Sequence, residues 1–151
     1  MKQPDGFQDW ESTVPESIRG DVLWRMTVYR LALFLGDLSW DDVTTLHRDG
    51  RTRRIADQLY RAVGSISANV AEGYSRGSGK DRARFYEYSL GSAREARDWY
   101  FKGRHLLGAE ITTHRLDLLA EICRQLLGTI RNQPGRSLRE PGVPYSPDAD
   151  A

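Results

Sequence analysis

The chain has 151 residues, 22 basic against 21 acidic side chains, and one cysteine. That length suits one domain with an ordinary core, and a lone cysteine excludes an intramolecular disulfide or a cysteine-based zinc site. No run of eighteen apolar residues is present to cross a membrane, and the N-terminus MKQPDGFQDWES lacks an apolar signal core, which favours the cytoplasm.

Residues 1–17, with Pro4, Gly6 and Pro15 among polar residues, read as a flexible leader. A first helix is expected over about 19–38. Val22, Met26, Tyr29 and Leu33 form one apolar stripe, and Trp24, Val28, Leu31 and Leu35 form a second beside it. So wide a surface predicts central burial or a subunit contact. Residues 39–50, SWDDVTTLHRDG, read as a connector with one helical turn at most.

The second helix is expected over 51–74. Ile55, Leu59, Val63, Ile66 and Val70 recur at steps of four, four, three and four, which puts them on one face. A line of small residues, Gly64, Ser67, Ala68 and Ala71, would admit a close neighbour. A polar line, Ser65, Asn69, Glu72 and Arg76, fits a solvated face, an interhelical hydrogen-bond network or a ligand site. Arg51, Arg53 and Arg54 in the first turn oppose the helix dipole, which points to an anionic partner or to pairing with Asp41, Asp42 or Asp57.

Gly73 or Gly77 is expected to end this helix in the left-handed conformation, and Ser78 with Asp81 to cap the next. Gly77-Ser78-Gly79-Lys80 imitates a phosphate-binding loop but lacks its first glycine and its final Ser or Thr, and a helix precedes it instead of a strand. A third helix is expected over 79–107. It interleaves Tyr86, Tyr88, Trp99, Tyr100 and Phe101 with Arg82, Arg84, Arg94, Arg97, Lys102 and Arg104. That mixture suits an oligomer interface, with Trp24 and Tyr29 contributing, or stacking plus charge toward nucleic acid. A fourth helix is expected over 113–132, capped by Thr112 or Thr113, with Leu116, Leu119, Cys123, Leu126 and Ile130 on its core face. Residues 134–151, with four prolines, read as a disordered tail.

Four amphipathic helices with mostly short connections predict an all-α, antiparallel up-and-down four-helix bundle over 18–133. Charge is uneven along it: residues 1–44 sum to −4, 45–105 to +6 and 106–151 to −1. Nucleic-acid contact is therefore expected from Arg51, Arg53, Arg54, Arg61, Arg76, Lys80, Arg82 and Arg84, if from anywhere. The three histidines, 47, 105 and 114, have no metal-like spacing. Bundle di-metal sites use Glu-x-x-His pairs, but Ser75 follows Glu72 and Asp98 follows Glu95 at that distance. No enzyme, no cofactor and no metal is expected.

Gln58-Leu59, Ser65-Ile66, Asn69-Val70-Ala71-Glu72-Gly73, Arg76, Ser78, Leu90-Gly91-Ser92 and Glu95 resemble the bacterial 23S rRNA intervening-sequence proteins. The resemblance spans roughly residues 20–132. It implies a small helical bundle that in some members forms a ring-like pentamer, without an assigned activity. A related branch serves as the accessory protein of diversity-generating retroelements, where a basic pentamer binds reverse transcriptase and nucleic acid. Carried onto this chain, Asn69, Glu72, Gly73, Arg76 and Glu95 are the motif positions, expected to form a buried or interfacial polar network that fixes helix register. Where the family often has proline between the Ile and Asn of its motif, Ser67 stands here, so a straighter second helix is expected. Arg97 stands where a second acidic residue often follows.

Overall fold

The computed structural model describes residues 6–134. Among them are α1 (Phe7–Glu11), α2 (Glu16–Arg19), a 3-10 turn (Val22–Arg25), α3 (Thr27–His47), α4 (Arg53–Tyr74), α5 (Gly79–Lys102), α6 (Arg104–Leu107) and α7 (Ala109–Arg131), and no strand. Four of these helices are long, at 21 to 24 residues each. α3 packs on α4, α4 on α5, α5 on α7, and α7 closes back on α3.

The first long helix is displaced from its expected range of 19–38. Asp21 is extended and accepts a hydrogen bond from Leu23 N (2.8 Å), which caps the separate 3-10 turn and delays α3 until Thr27. Val22 is therefore exposed and the first apolar stripe is broken. α3 then runs through the expected connector. Its polar residues return their hydrogen bonds to the helix, Ser39 Oγ to Gly36 O (2.7 Å) and Thr44 Oγ1 to Trp40 O (2.8 Å). Leu35, Ser39, Asp42 and Leu46 meanwhile keep the buried face in register.

The leader is docked on α3 over its described part, not free. Phe7 is fully buried with its ring 5.5 Å from Phe34, Trp10 Nε1 donates to Asp37 (2.6 Å), and Glu11 pairs with Arg30 (2.6 Å). Residues 1–5 lie outside the described residues, as does the expected tail beyond Pro134.

α4 holds its expected range almost to the residue, with Leu59, Val63, Ile66 and Val70 buried. It runs antiparallel to α5. Gly73 meets Phe85 and Tyr86, Ile66 O accepts from Ser89 Oγ (2.8 Å), and Arg61 reaches Glu95. The small-residue line differs from expectation. Gly64 and Ala68 are exposed and nothing lies within 4 Å of a Cβ built at Gly64, whereas Gly73 makes the close approach.

Positive φ is confined to Gly6 and Gly108 among the described residues, so neither Gly73 nor Gly77 adopts the left-handed cap. Ser78 does cap α5, accepting from Asp81 N at 3.1 Å. At the far end Gly103 interrupts the expected single helix, and Gly108 (φ 85°) turns the chain into α7. α7 starts at Ala109, which leaves Thr112 and Thr113 inside the helix instead of capping it. Leu119, Cys123, Leu126 and Ile130 are buried as the spacing predicts. No helix among the described residues is long and apolar enough to cross a membrane.

Candidate functional site

The motif positions line the outer seam of α4 and α5 without converging. Asn69 Nδ2 donates to Ser65 O on its own helix (2.8 Å), and Glu72 is exposed and pairs with Arg76 (2.9 Å). The Arg76 guanidinium lies 4.6 Å from the centre of the Phe85 ring. Glu95 accepts from Trp99 Nε1 (3.2 Å) and faces Arg61 at 3.6 Å. Each polar group thus has a local partner, and no buried network links the three. Gly73 alone of the motif is buried, and its role is steric.

An exposed i, i+4 ion pair contributes only about 0.3–0.5 kcal/mol. Asn69→Ala and Glu72→Ala are therefore each expected to change the stability of the isolated chain by less than about 1 kcal/mol in urea unfolding. A larger loss would mean that these side chains have partners this geometry lacks.

The eight basic residues expected to contact nucleic acid fall into separate groups. Arg51, Arg53 and Arg54 sit at the start of α4, and Arg76, Lys80, Arg82 and Arg84 surround its end. The 22 residues of α4 set these groups about 30 Å apart at 1.5 Å per residue. Most are already engaged. Arg51 chelates Asp49, whose carboxyl is held down to about 2 by hydrogen bonds from the Arg51 side chain and backbone. Arg82 bonds Gln133 and Arg76 O, Arg84 faces Asp81 at 3.5 Å, and Arg61 bonds Gln58. Arg53 and Arg54 are exposed at the α4 N-terminus, on the same end of the molecule as Lys102 and His105, which share a shallow cleft with Arg51.

The aromatic residues expected at an interface also divide. Tyr86 and Tyr100 are core residues. Trp24, Tyr29 and Trp99 are half-buried, Trp24 lying 6.2 Å from Trp10. Tyr88 and Phe101 are exposed at 53% and 51%. The aromatics of the third expected helix cannot all share one face, and because α5 is flanked by both α4 and α7, Tyr86 and Tyr100 are the two that become buried.

A buried polar cluster that periodicity alone does not announce joins three helices. Asp42 of α3 is buried and accepts from Tyr100 Oη of α5 (2.7 Å) and, in a fork, from Arg115 Nε (2.7 Å) and Nη2 (3.1 Å) of α7. Arg115 Nη1 also bonds His114 Nδ1 (2.7 Å). Its signal in the sequence is an acid in the apolar stripe of one helix and a base in that of another. This cluster ties three helices with charge-assisted bonds.

Burial pushes the Tyr100 phenol well above its usual range, and the Asp42 charge adds to this. Burial also raises Tyr86 and Tyr29. A raised folded-state value favours the neutral phenol in the fold. Its stabilisation is therefore complete below about pH 10, where unfolded tyrosine titrates, and is lost as pH rises further. The melting temperature should fall progressively above about pH 10, and Tyr100→Phe should flatten that fall. An unchanged alkaline slope in Tyr100→Phe would contradict the assignment.

Two further shallow grooves lie among the described residues. One, of about 460 Å³, lies between α3 and α4 and contains Trp40, His47, Asp57 and Tyr60. The other runs along α5 and α7 around Phe101 and Leu116, with Arg97 and Arg104 on its banks. Among the described residues, no group of three or more His, Cys, Asp or Glu side chains is placed to hold a metal ion.

A family model described as 23S rRNA-intervening sequence protein matches residues 25–128. Among solved structures, the chain is similar to a protein of unknown function from the S23 ribosomal protein family of Bacteroides thetaiotaomicron. The TM-score is 0.66 at 19% identity, over 70% of this chain and 100% of that one. At that identity the likeness concerns the fold alone. No curated protein matches the chain.

Proposed function

The chain belongs to the 23S rRNA-intervening sequence protein family, and we propose that it acts as a cytoplasmic, non-enzymatic scaffold or accessory protein that self-associates. In this reading α3, α4, α5 and α7 form an antiparallel up-and-down four-helix bundle, and copies assemble into a ring-like homo-oligomer, a pentamer as the family resemblance implies. The observation that carries the reading is the placement of large aromatic side chains in water. Trp40, Phe101 and Tyr60 are 64%, 51% and 39% exposed on groove surfaces of a chain whose core is already filled. Exposed apolar patches of this kind mark association surfaces. The polar motif residues support a non-catalytic role, because they are spent on local pairs and do not converge on a common point.

Sedimentation velocity across a micromolar dilution series tests this. The reading expects a discrete species several times heavier than the 17.2 kDa chain; a single monomer peak throughout would end it.

A second reading, a nucleic-acid-binding accessory factor with RNA, DNA or a reverse transcriptase as partner, is favoured by one observation. Arg53 and Arg54 are exposed at an α4 N-terminus that has no side-chain cap, with Lys102 and His105 on the same end. Binding through such groups would weaken steeply with salt. Absence of RNA and DNA binding at 50 mM salt would remove this reading.

A further inference from the structure

Where α6 hands the chain to α7, the α5/α7 groove contains a cavity of about 320 Å³ lined by Phe101, Arg104, Ala109, Thr112, Thr113 and Leu116. That volume is at the lower end of the range for small-molecule sites. Phe101, Ala109 and Leu116 form an apolar side, and Arg104, Thr112 and Thr113 a polar one. Three features of the polar side favour the same kind of occupant.

The first is an unsatisfied hydroxyl. Thr112 is 5% exposed, and its Oγ1 is buried without a hydrogen-bond partner. A helical threonine commonly turns its hydroxyl to a carbonyl one turn back, but Gly108 O accepts from the Thr112 N–H instead (3.1 Å). An unpaired buried hydroxyl is costly, and in the wall of a cavity an acceptor can reach it. Rotation about the Cα–Cβ bond exchanges hydroxyl and methyl and turns the hydroxyl into the cavity.

The second is the start of α7. Gly108 has no side chain, and no side chain caps this 23-residue helix. Thr112 N–H is the first with an acceptor in the helix, so those of Ala109, Glu110 and Ile111, all exposed residues, are left open. Open N–H groups with the helix dipole behind them attract an oxyanion.

The third is Arg104. It is half-buried, its guanidinium lies 4.0 Å from the centre of the Phe101 ring, and Nη1 donates to Phe101 O (2.9 Å). No carboxylate pairs with it among the described residues, and its Nε and Nη2 keep their donors. Nearby acids do not cancel this charge. Glu110 is exposed and outside the lining, and Asp98 in the adjoining stretch of groove is paired with Lys102 (2.8 Å).

We propose that this cavity binds a small organic monocarboxylate. Arg104, the open N–H groups of α7 and the Thr112 hydroxyl hold the carboxylate, and its hydrocarbon or aromatic body lies on Phe101 and Leu116. A single negative charge is favoured over a phosphate dianion because Glu110 stands in the same first turn. The site lies within one chain and does not depend on self-association.

Calorimetric titration of the full chain with 3-phenylpropionate tests it. Saturable binding is expected, and the neutral 3-phenylpropionamide and the bodiless acetate should each bind about tenfold or more weakly. Arg104→Gln should weaken 3-phenylpropionate by about tenfold. Thr112→Val, which keeps the shape and removes the hydroxyl, should weaken it about threefold without lowering the melting temperature of the free chain. If Arg104→Gln does not fold, Ala109→Pro replaces it, since proline is tolerated at the first helical position and removes one of the open N–H groups. No saturable binding up to about 10 mM probe, or equal binding of the neutral amide, would overturn the site. Wild-type affinity in Thr112→Val together with Arg104→Gln or its replacement would place the probe elsewhere and overturn it as well.

Discussion

Asp42→Ala should cost about 3–5 kcal/mol of folding stability, the range for breaking a buried, hydrogen-bonded ion pair by removing one partner. The Asp42 carboxylate is buried among α3, α5 and α7, where it accepts from Tyr100 and, through both oxygens, from Arg115. Removal leaves the Arg115 guanidinium without its counter-charge and the Tyr100 hydroxyl without an acceptor. Both penalties fall on the folded state alone, because the unfolded chain hydrates these groups. Urea unfolding of the wild type, Asp42→Ala, Arg115→Ala and the double variant would measure it. The double variant should be less damaged than the sum of the singles, since neither charge is then left uncompensated. Losses below 1 kcal/mol, or strict additivity, would show that the cluster does not act as a unit.

Gly73→Ala is expected to destabilise by about 1–3 kcal/mol, the cost of overpacking a well-filled interior, although alanine is the better helix former by about 1 kcal/mol. A Cβ at this position would lie 2.9 Å from Phe85 Cβ and 2.9 Å from Tyr86 Cε1. Phe85 Cβ is fixed to the α5 backbone and cannot swing aside, so α4 and α5 must separate at this point. Gly128→Ala in α7 is the natural control, because nothing lies within 4 Å of its added Cβ. It should stabilise by about 0.5–1 kcal/mol through helix propensity alone. The same substitution is thus expected to have opposite signs at two helical glycines, and a stabilising Gly73→Ala would contradict the close α4–α5 approach.

How much of this was legible in the sequence varies by element and for physical reasons. α4 and α7 announce themselves, because Leu59, Val63, Ile66 and Val70, and Leu119, Cys123, Leu126 and Ile130, repeat at helical spacing against polar surroundings. α3 does not. Ser39, Asp41, Asp42 and Thr44 look like turn formers, yet the helix runs to His47 with Val43 and Leu46 buried and Asp42 paired with Arg115, 73 positions later. The docked leader escaped for a similar reason: Phe7 and Trp10 are too few to show periodicity, and their burial depends on Phe34.

On the surface, the resemblance picked out Gly73 but could not tell a steric glycine from a polar network. The arginines looked like one group because they are close in sequence, yet the 22 residues of α4 carry them to opposite ends. Trp40 was hidden by its assignment to a connector. It lies on α3 beside Tyr60, with their rings 6.0 Å apart, and is the most exposed large hydrophobic side chain among the described residues.

The most direct measurement is the mass of the wild-type protein by light scattering on a sizing column, with absorbance followed at 260 and 280 nm. Self-association as a pentamer predicts a single species near five times 17.2 kDa, about 86 kDa, without excess absorbance at 260 nm. A homogeneous 17.2 kDa species at micromolar concentration would contradict it, leaving Trp40 and Phe101 as surface aromatics that no second copy covers.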